Sequence, residues 1–468
     1  MKRPYRIWTG SALPLRPGLF LTIALGIAAP WLYGQASVPD ESQAGVMSAL
    51  DQSTTYPIQT QMAETSNLNT VNENADTVKY SENALTRGPF FFSVETTVTG
   101  TTNLENTFDN QPSTTGAYFT VAFPLGIHLA APTTDFSAYF RFDTNFYPGY
   151  SDLNHSSVIY SQQYIHQHSN LTTSSWSLAG GHIVTLGNYL SPVIGVGTTG
   201  VLAPQQSSGL QPLNDAATNY SIAHQMSERD TITASGMAGW IDQPSVTGIQ
   251  TNEITSYRQL TGGGSVQWQR ALNTREIAGV ELSDVYIKGL FPSGMSNFTA
   301  AKLTFGQTLT PHSSITAGVG PLYLQSDLTG KPQLNNFTYT ANVGFEYRRP
   351  FGDITGGFSR VYELGYVVPA GVANQWYFTF DHPITSKIRL AAASQYVLSP
   401  AWEGRNSYAQ FVLTARLDVR LTPNLDYHVE GSSFIQDTGA PTPGYSNNQF
   451  STGITFYFGN PLSRAGEQ

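Results

Sequence analysis

The segment Asp135-Phe136-Ser137-Ala138-Tyr139-Phe140-Arg141-Phe142-Asp143-Thr144-Asn145-Phe146 decides the fold. One parity reads Phe136, Ala138, Phe140, Phe142, Thr144, Phe146, and the other reads Asp135, Ser137, Tyr139, Arg141, Asp143, Asn145. Successive side chains of a strand point to opposite faces, so this pattern gives one greasy and one polar face. A helix would scatter the same residues around its circumference. Two later stretches repeat the pattern. Phe337, Tyr339, Ala341, Val343, Phe345 and Tyr347 alternate with Thr338, Thr340, Asn342, Gly344, Glu346 and Arg348. Phe411, Leu413, Ala415, Leu417, Val419 and Leu421 alternate with Val412, Thr414, Arg416, Asp418 and Arg420.

Alternation alone fits a soluble sandwich as well as a membrane barrel, but segment length separates them. The alternating runs are 10–14 residues long, whereas soluble strands average about 5–6 and a tilted membrane-spanning strand needs about 9–11. Short connections such as Ala131-Pro132-Thr133-Thr134, Arg349-Pro350-Phe351-Gly352 and Leu421-Thr422-Pro423-Asn424 alternate with longer Gly/Asn/Asp/Pro loops. Aromatics recur near segment ends, as at Tyr147, Trp240, Trp268, Trp376 and Tyr396. Short periplasmic turns, long external loops and aromatic girdles describe outer-membrane barrels. The expected fold is all-β: a single transmembrane antiparallel up-and-down β-barrel over 89–458, of about eighteen strands, with sixteen also compatible.

Composition agrees. Of the 468 residues 40% are hydrophobic, only 12% are charged, and there is no Cys. An ordinary soluble domain carries about 25% charged residues. The low charge argues against a nucleic-acid binder or a coiled coil, and the lack of Cys removes disulfides, thiolate metal sites and Cys nucleophiles. Lys2, Arg3, Arg6 and Arg16 precede or open an apolar run from Leu19 to Leu32, followed by Gly34-Gln35-Ala36. A basic start, a short apolar run and a small-x-small site make 1–36 a secretory signal. The competing reading is a membrane anchor, for which the run falls short of the ~20 residues of a spanning helix. Residues 37–88 are polar and acidic with few large apolar side chains. They are expected to be a disordered spacer, or a segment in the lumen or against a periplasmic partner. The tail 459–468 follows the last alternating run.

That last run places Phe450, Thr452, Ile454, Phe456 and Phe458 on one parity. Here the chain resembles bacterial outer-membrane β-barrel proteins, porins in particular, whose final strand ends in alternating hydrophobics and a terminal aromatic read by the barrel-assembly machinery. The resemblance implies lipid and lipopolysaccharide as surroundings, small polar solutes as cargo, and a possible homo-oligomer. The tail after Phe458 departs from the pattern. A barrel of this size leaves an aqueous lumen unless something fills it, so the expected function is an outer-membrane channel for passive diffusion of small hydrophilic solutes. Two alternatives stand beside it. One is a substrate-specific transporter for a carbohydrate or hydrophobic compound, which apolar lumen side chains would favour; the other is a non-transporting adhesin, scaffold or secretion partner. No nucleic acid, cofactor, metal or catalytic residue is expected.

The inward parity supplies the candidate lumen residues: Arg141, Asp143, Glu346, Arg348, Arg389, Arg416, Asp418, Arg420, Asp426 and Glu430, with Lys387 and His428 beside them. Opposed charges across a lumen order water and select small polar solutes; the same residues paired with one another would stiffen the wall. The longest loop, 187–215, is apolar for a solvated loop. Tyr189, Pro192, Ile194 and Leu202 are its candidates for narrowing the lumen, against surface packing or a partner contact. Gly180-Gly181-His182 upstream is similar to the Gly-Arg strand leading into a porin's constriction loop, with His in the place of Arg. His166-Gln167-His168-Ser169 approaches a His-x-Ser pattern, but the spacing is wrong and no third group would orient the base.

Overall fold

The computed structural model describes residues 90–103, 113–131, 133–186, 201–202, 210–243, 257–291, 293–328, 333–349, 352–364, 371–400, 407–437 and 444–458. The expected signal (1–36), the polar segment (37–88), the tail (459–468) and the loop candidates Tyr189, Pro192 and Ile194 lie outside the described residues.

The first strands are β1 (Phe90–Thr101), β2 (Gly116–Ala131), β3 (Thr134–Phe146), β4 (His155–Ser169), β5 (Thr172–Leu186) and the two-residue β6 (Val201–Leu202). Then come β7 (Leu210–Gln225), β8 (Asp230–Gln243), β9 (Tyr257–Ala271), β10 (Glu276–Phe291), β11 (Ser293–Thr310), β12 (Ser313–Leu328) and β13 (Leu334–Arg349). The last are β14 (Gly352–Leu364), β15 (Gly371–Thr385), β16 (Ile388–Ser399), β17 (Tyr408–Thr422), β18 (Leu425–Asp437) and β19 (Tyr445–Phe458). Apart from β6, each strand pairs antiparallel with its neighbours in sequence, and β5 pairs with β7. The ring closes where β1 meets β19, from Phe92↔Phe458 to Thr101↔Gln449. The result is a closed antiparallel barrel of 18 strands.

The strands are longer than the sequence alone predicts, up to 18 residues in β11. Antiparallel ladders persist beyond the lipid-matched length wherever both partners stay in register. The same effect converts 210–215 from expected loop to strand β7.

The short turns share one device. Ser227 Oγ accepts the backbone N–H groups of Arg229 and Asp230. Asn273 Oδ1 does the same for Arg275 and Glu276, and Thr385 Oγ1 for Lys387 and Ile388. A hydroxyl or amide at the turn entrance thus takes the N–H groups that the ladder leaves over, so hairpins end sharply on that side.

Burial is inverted relative to a soluble protein. On β3, Phe140 and Phe146 are 39% and 47% exposed, whereas Arg141, Asp143 and Asn145 on the other parity are each 1% exposed. The apolar parity therefore faces outward and the polar parity inward. One inner sector departs from this rule. Val285, Ile287, Phe298, Leu322, Leu324 and Leu334, on the inward parity of β10–β13, are apolar and all buried. Outward, Asp284 stands among apolar neighbours and accepts a 2.6 Å hydrogen bond from Thr299 Oγ1.

Candidate lumen site at the barrel seam

Two strand residues without bulk organise the inner wall at the closure. On β2, Ala122 lies between Glu95 of β1 and Asp143 of β3 in the register. On β19, Gly453 lies between His428 of β18 and Thr97 of β1. Side chains on either side can therefore reach across a whole strand. Arg141 Nη1 comes within 3.5 Å of Glu95 Oε2, while its Nε donates to Asp143 Oδ1 at 2.7 Å. His428 Nε2 lies 3.7 Å from Glu95 Oε1 and 3.3 Å from Thr97 Oγ1. A Cβ added to Gly453 would stand 2.7 Å from His428 Nε2 and 2.4 Å from the Thr96 carbonyl oxygen. Glycine is needed there because the imidazole passes over the backbone.

The chain of charges continues away from the seam. Arg416 Nε donates to Asp418 Oδ1 at 2.8 Å, and its Nη1 is 4.0 Å from Glu430 Oε2. Asp418 faces Arg389 across the β16–β17 register, and Arg389 binds both carboxylate oxygens of Asp381, with Nε to Oδ1 at 2.7 Å. Arg420 stands opposite Asp426, which accepts from the Tyr457 hydroxyl at 3.4 Å. From β15 round to β3 the signs alternate along one arc of wall. Thr120, Asn145 and His155 extend it toward the long-loop side: Thr120 Oγ1 donates to Asn145 at 2.6 Å, and Asn145 Nδ2 lies 2.9 Å from His155 Nε2.

Arg141, Asp143, Arg389, Arg416, Asp418, Arg420, Asp426 and Glu430 thus share this arc. Glu346 and Arg348 pair with each other near the β13–β14 turn and stand at the end of the same arc, since Arg348 faces Asp353 and Asp353 faces Asp381 in the register. The charges bind sideways along a wall, not in opposed ranks across the lumen. Within the arc, Glu95, Asp143, Asp381, Asp418, Asp426 and Glu430 outnumber Arg141, Arg389, Arg416 and Arg420 even with His428 added, so carboxylates are in excess. Glu95 was missed: its inward parity between Ser93 and Thr97 was the available signal, but nothing local shows that β1 closes on β19. Lys302 and Glu281, 2.9 Å apart on β10–β11, were missed as well.

At the loop side, Val201 and Leu202 pair in parallel with Glu363 and Leu364 of β14. The β13–β14 ladder reaches only Ala341↔Arg360, so this edge of β14 is left for β6. A segment leaving β5 and returning to β7 is thereby attached to a strand far round the ring. His182 turns away from the lumen; it is exposed on the outer parity, with Nδ1 2.7 Å from Asn214 Oδ1. Ser169 Oγ accepts from the Leu171 backbone N–H. It is Ser174 whose Oγ lies 2.8 Å from His168 Nε2.

The outer wall states where the barrel sits. On β8 and β9 the outward parity reads Ile232, Ala234, Gly236, Ala238, Trp240 and, facing them, Trp268, Val266, Gly264, Gly262, Leu260. Ion pairs bracket this band: Asp230 with Arg270 at the turn end, 3.5 Å, and Asp242 with Arg258 at the loop end, 3.0 Å. Twelve residues separate the two pairs; at about 3.4 Å per residue and a tilt of about 35–45° they climb roughly 30 Å, the depth of a bilayer's hydrocarbon. This is a bacterial outer-membrane β-barrel.

No protein-family model and no curated protein matches the chain. Among solved structures, Pseudomonas aeruginosa OccK2 (OpdF) in complex with glucuronate aligns at 11% identity and TM-score 0.39, covering 79% of this chain and 98% of that one. The FrpB iron transporter from Neisseria meningitidis aligns at 8% identity and TM-score 0.40, covering 81% and 84%. The outer membrane protein OpdK from Pseudomonas aeruginosa aligns at 8% identity and TM-score 0.39, covering 79% and 99%. Likeness at this level says nothing about what the barrel carries.

Proposed function

We propose that this barrel is a channel for passive diffusion of small hydrophilic solutes across the outer membrane. The observation that carries the reading is the inverted wall: a closed ring of 18 strands whose inward parity presents a continuous acidic arc of paired charges. A ring of this number encloses more space than its own side chains fill, and a polar lining keeps that space wetted. The excess of carboxylates favours cations over anions. Pairing along the wall holds each charge in place, so the field at the lumen is fixed and not collapsed by passing ions. Nothing in this mechanism calls for an enzyme. The assembly machinery would read the last strand, Phe450 to Phe458, and a homo-oligomer fits the same architecture.

Apolar inward side chains would favour a transporter for hydrophobic compounds. Those on β10–β13 are buried, Leu324 at 0% and Phe298 at 2% exposure, as are the seam charges Arg141 and Glu430; the inward side chains of the arc that keep exposure are charged, Asp381 at 26%, Arg389 at 17% and Asp418 at 16%. The polar reading therefore stands ahead of the alternative.

The test is conduction. Purified protein is expected to open channels in planar bilayers, and deletion of 192–204, which removes the β6 attachment to β14, is expected to raise their conductance. Protein that inserts with normal barrel behaviour yet never conducts, with or without that deletion, would end the channel reading.

A further inference from the structure

His166 and His168 stand two residues apart on β4 and share the outward parity of that strand. Their rings are 4.5 Å apart between centroids and nearly perpendicular, at 85°. Two imidazoles whose nitrogens subtend about 90° at one ion, with metal–nitrogen bonds of about 2.0–2.1 Å, have ring centres about 4.5 Å apart whatever the tilt of their planes. The rings meet edge to face, and their spacing falls at that separation.

The second nitrogen of each ring is tethered. His166 Nδ1 lies 3.3 Å from Thr134 Oγ1 of β3, and His168 Nε2 lies 2.8 Å from Ser174 Oγ of β5. In the tautomers in which each hydroxyl accepts the ring N–H, the lone pairs lie on His166 Nε2 and on His168 Nδ1. Metal-ligating histidines are oriented in this way by a hydrogen bond at the far nitrogen. Water reaches the pair: His168 is exposed, His166 half-buried, and both lie beyond Tyr164 and Trp176 on the turn side. Those two aromatics mark the girdle, so the pair sits at the periplasmic rim.

We propose that His166 and His168 form a binding site for a divalent late transition-metal ion at the periplasmic rim of the barrel. Imidazole nitrogens suit Cu²⁺, Ni²⁺ and Zn²⁺, with Cu²⁺ held most tightly. No group of three or more His, Asp or Glu residues gathers at metal-binding separation among the described residues. Water therefore completes the coordination, and the ion exchanges readily. His224 supplies an internal control: it also lies on the outer parity with a hydroxyl partner, Thr172 Oγ1 at 2.9 Å, but on β7, with strand β5 between it and the pair.

The experiment is a Cu²⁺ titration of tag-free protein purified from outer membranes in detergent, read by calorimetry and electron paramagnetic resonance. One saturable ion with two equatorial nitrogens is expected. His166→Ala and His168→Ala should each weaken binding at least tenfold and reduce the equatorial nitrogens to one; Thr134→Val should weaken it severalfold with both nitrogens kept. His224→Ala should change nothing. Variants are used only if they keep heat-modifiable migration, with His166→Gln and His168→Gln replacing any Ala variant that loses it. Absence of saturable binding, affinity indifferent to both substitutions, or equal loss in His224→Ala would overturn the proposal.

Discussion

His428 Nε2 on the penultimate strand lies 3.7 Å from Glu95 Oε1 on the first, reaching it across the bare backbone of Gly453. The contact joins the two ends of the ring. It also ties the β18 charges to those of β3, since Glu95 is held from its other side by Arg141.

Gly453→Ala is expected to destabilise the barrel by about 1–3 kcal/mol, the usual cost of overpacking a filled site. The added methyl would displace the His428 ring or the β1 backbone. Gly431→Ala, where a Cβ meets nothing within 4 Å, should be near neutral. Urea unfolding of both variants in lipid vesicles, followed by tryptophan fluorescence, makes the comparison; equal midpoints would remove the steric argument.

Arg141→Met should cost about 3–5 kcal/mol, because Glu95 and Asp143 would be left buried without their guanidinium. The triple variant carrying also Glu95→Gln and Asp143→Asn should recover much of that loss. A double-mutant cycle measures the coupling. Strictly additive losses would mean that the three side chains do not act as one unit.

Arginine at Leu303 or Leu413, which are outward and 66% and 43% exposed, is expected to cost about 2–4 kcal/mol near mid-bilayer. The inward controls must be chosen from the structure. Asn145, inward by parity, is buried and hydrogen-bonded on two sides, so a charge there would also be damaging. Thr233, inward and half-buried on β8, should accept arginine with little loss. Similar damage at Leu303 and Thr233 would contradict the assigned faces.

Replacing Arg389, Arg416 and Arg420 with Gln should move ion selectivity toward cations, and Asp418→Asn toward anions. A unit charge about 6 Å from a permeating ion is worth about 0.7 kcal/mol in water, roughly a threefold change in relative permeability. Reversal potentials in a salt gradient read the sign directly. Shifts in the same direction for both variants would separate the arc from the conduction path.

Much of the wall was legible before any tertiary structure. Alternation in Phe136–Phe146 assigns an outward and an inward face because a strand's side-chain period is two, whatever its neighbours are. Segment length and the Ser, Thr, Asn and Pro residues of the short turns then set the meander. The lumen site was legible residue by residue, as with Arg416, Asp418 and Glu430, but not as an arrangement. Lateral pairing, the acidic excess and the part of Glu95 depend on ring closure, a contact between strands at opposite ends of the chain. The apolar inward cluster around Leu324 was missed for a related reason: parity reports which way a side chain points, not what lies over it.

The sequence by itself determined strand, face and membrane depth, since these follow from local periodicity, run length and the solubility of each side chain in lipid or water. Only the tertiary structure decided which charges meet, that Gly453 must be bare, that Val201 and Leu202 pair with β14, and that the rings of His166 and His168 meet edge to face. Those facts depend on register and closure, which are set by the whole ring of cross-strand pairs and written in no single segment.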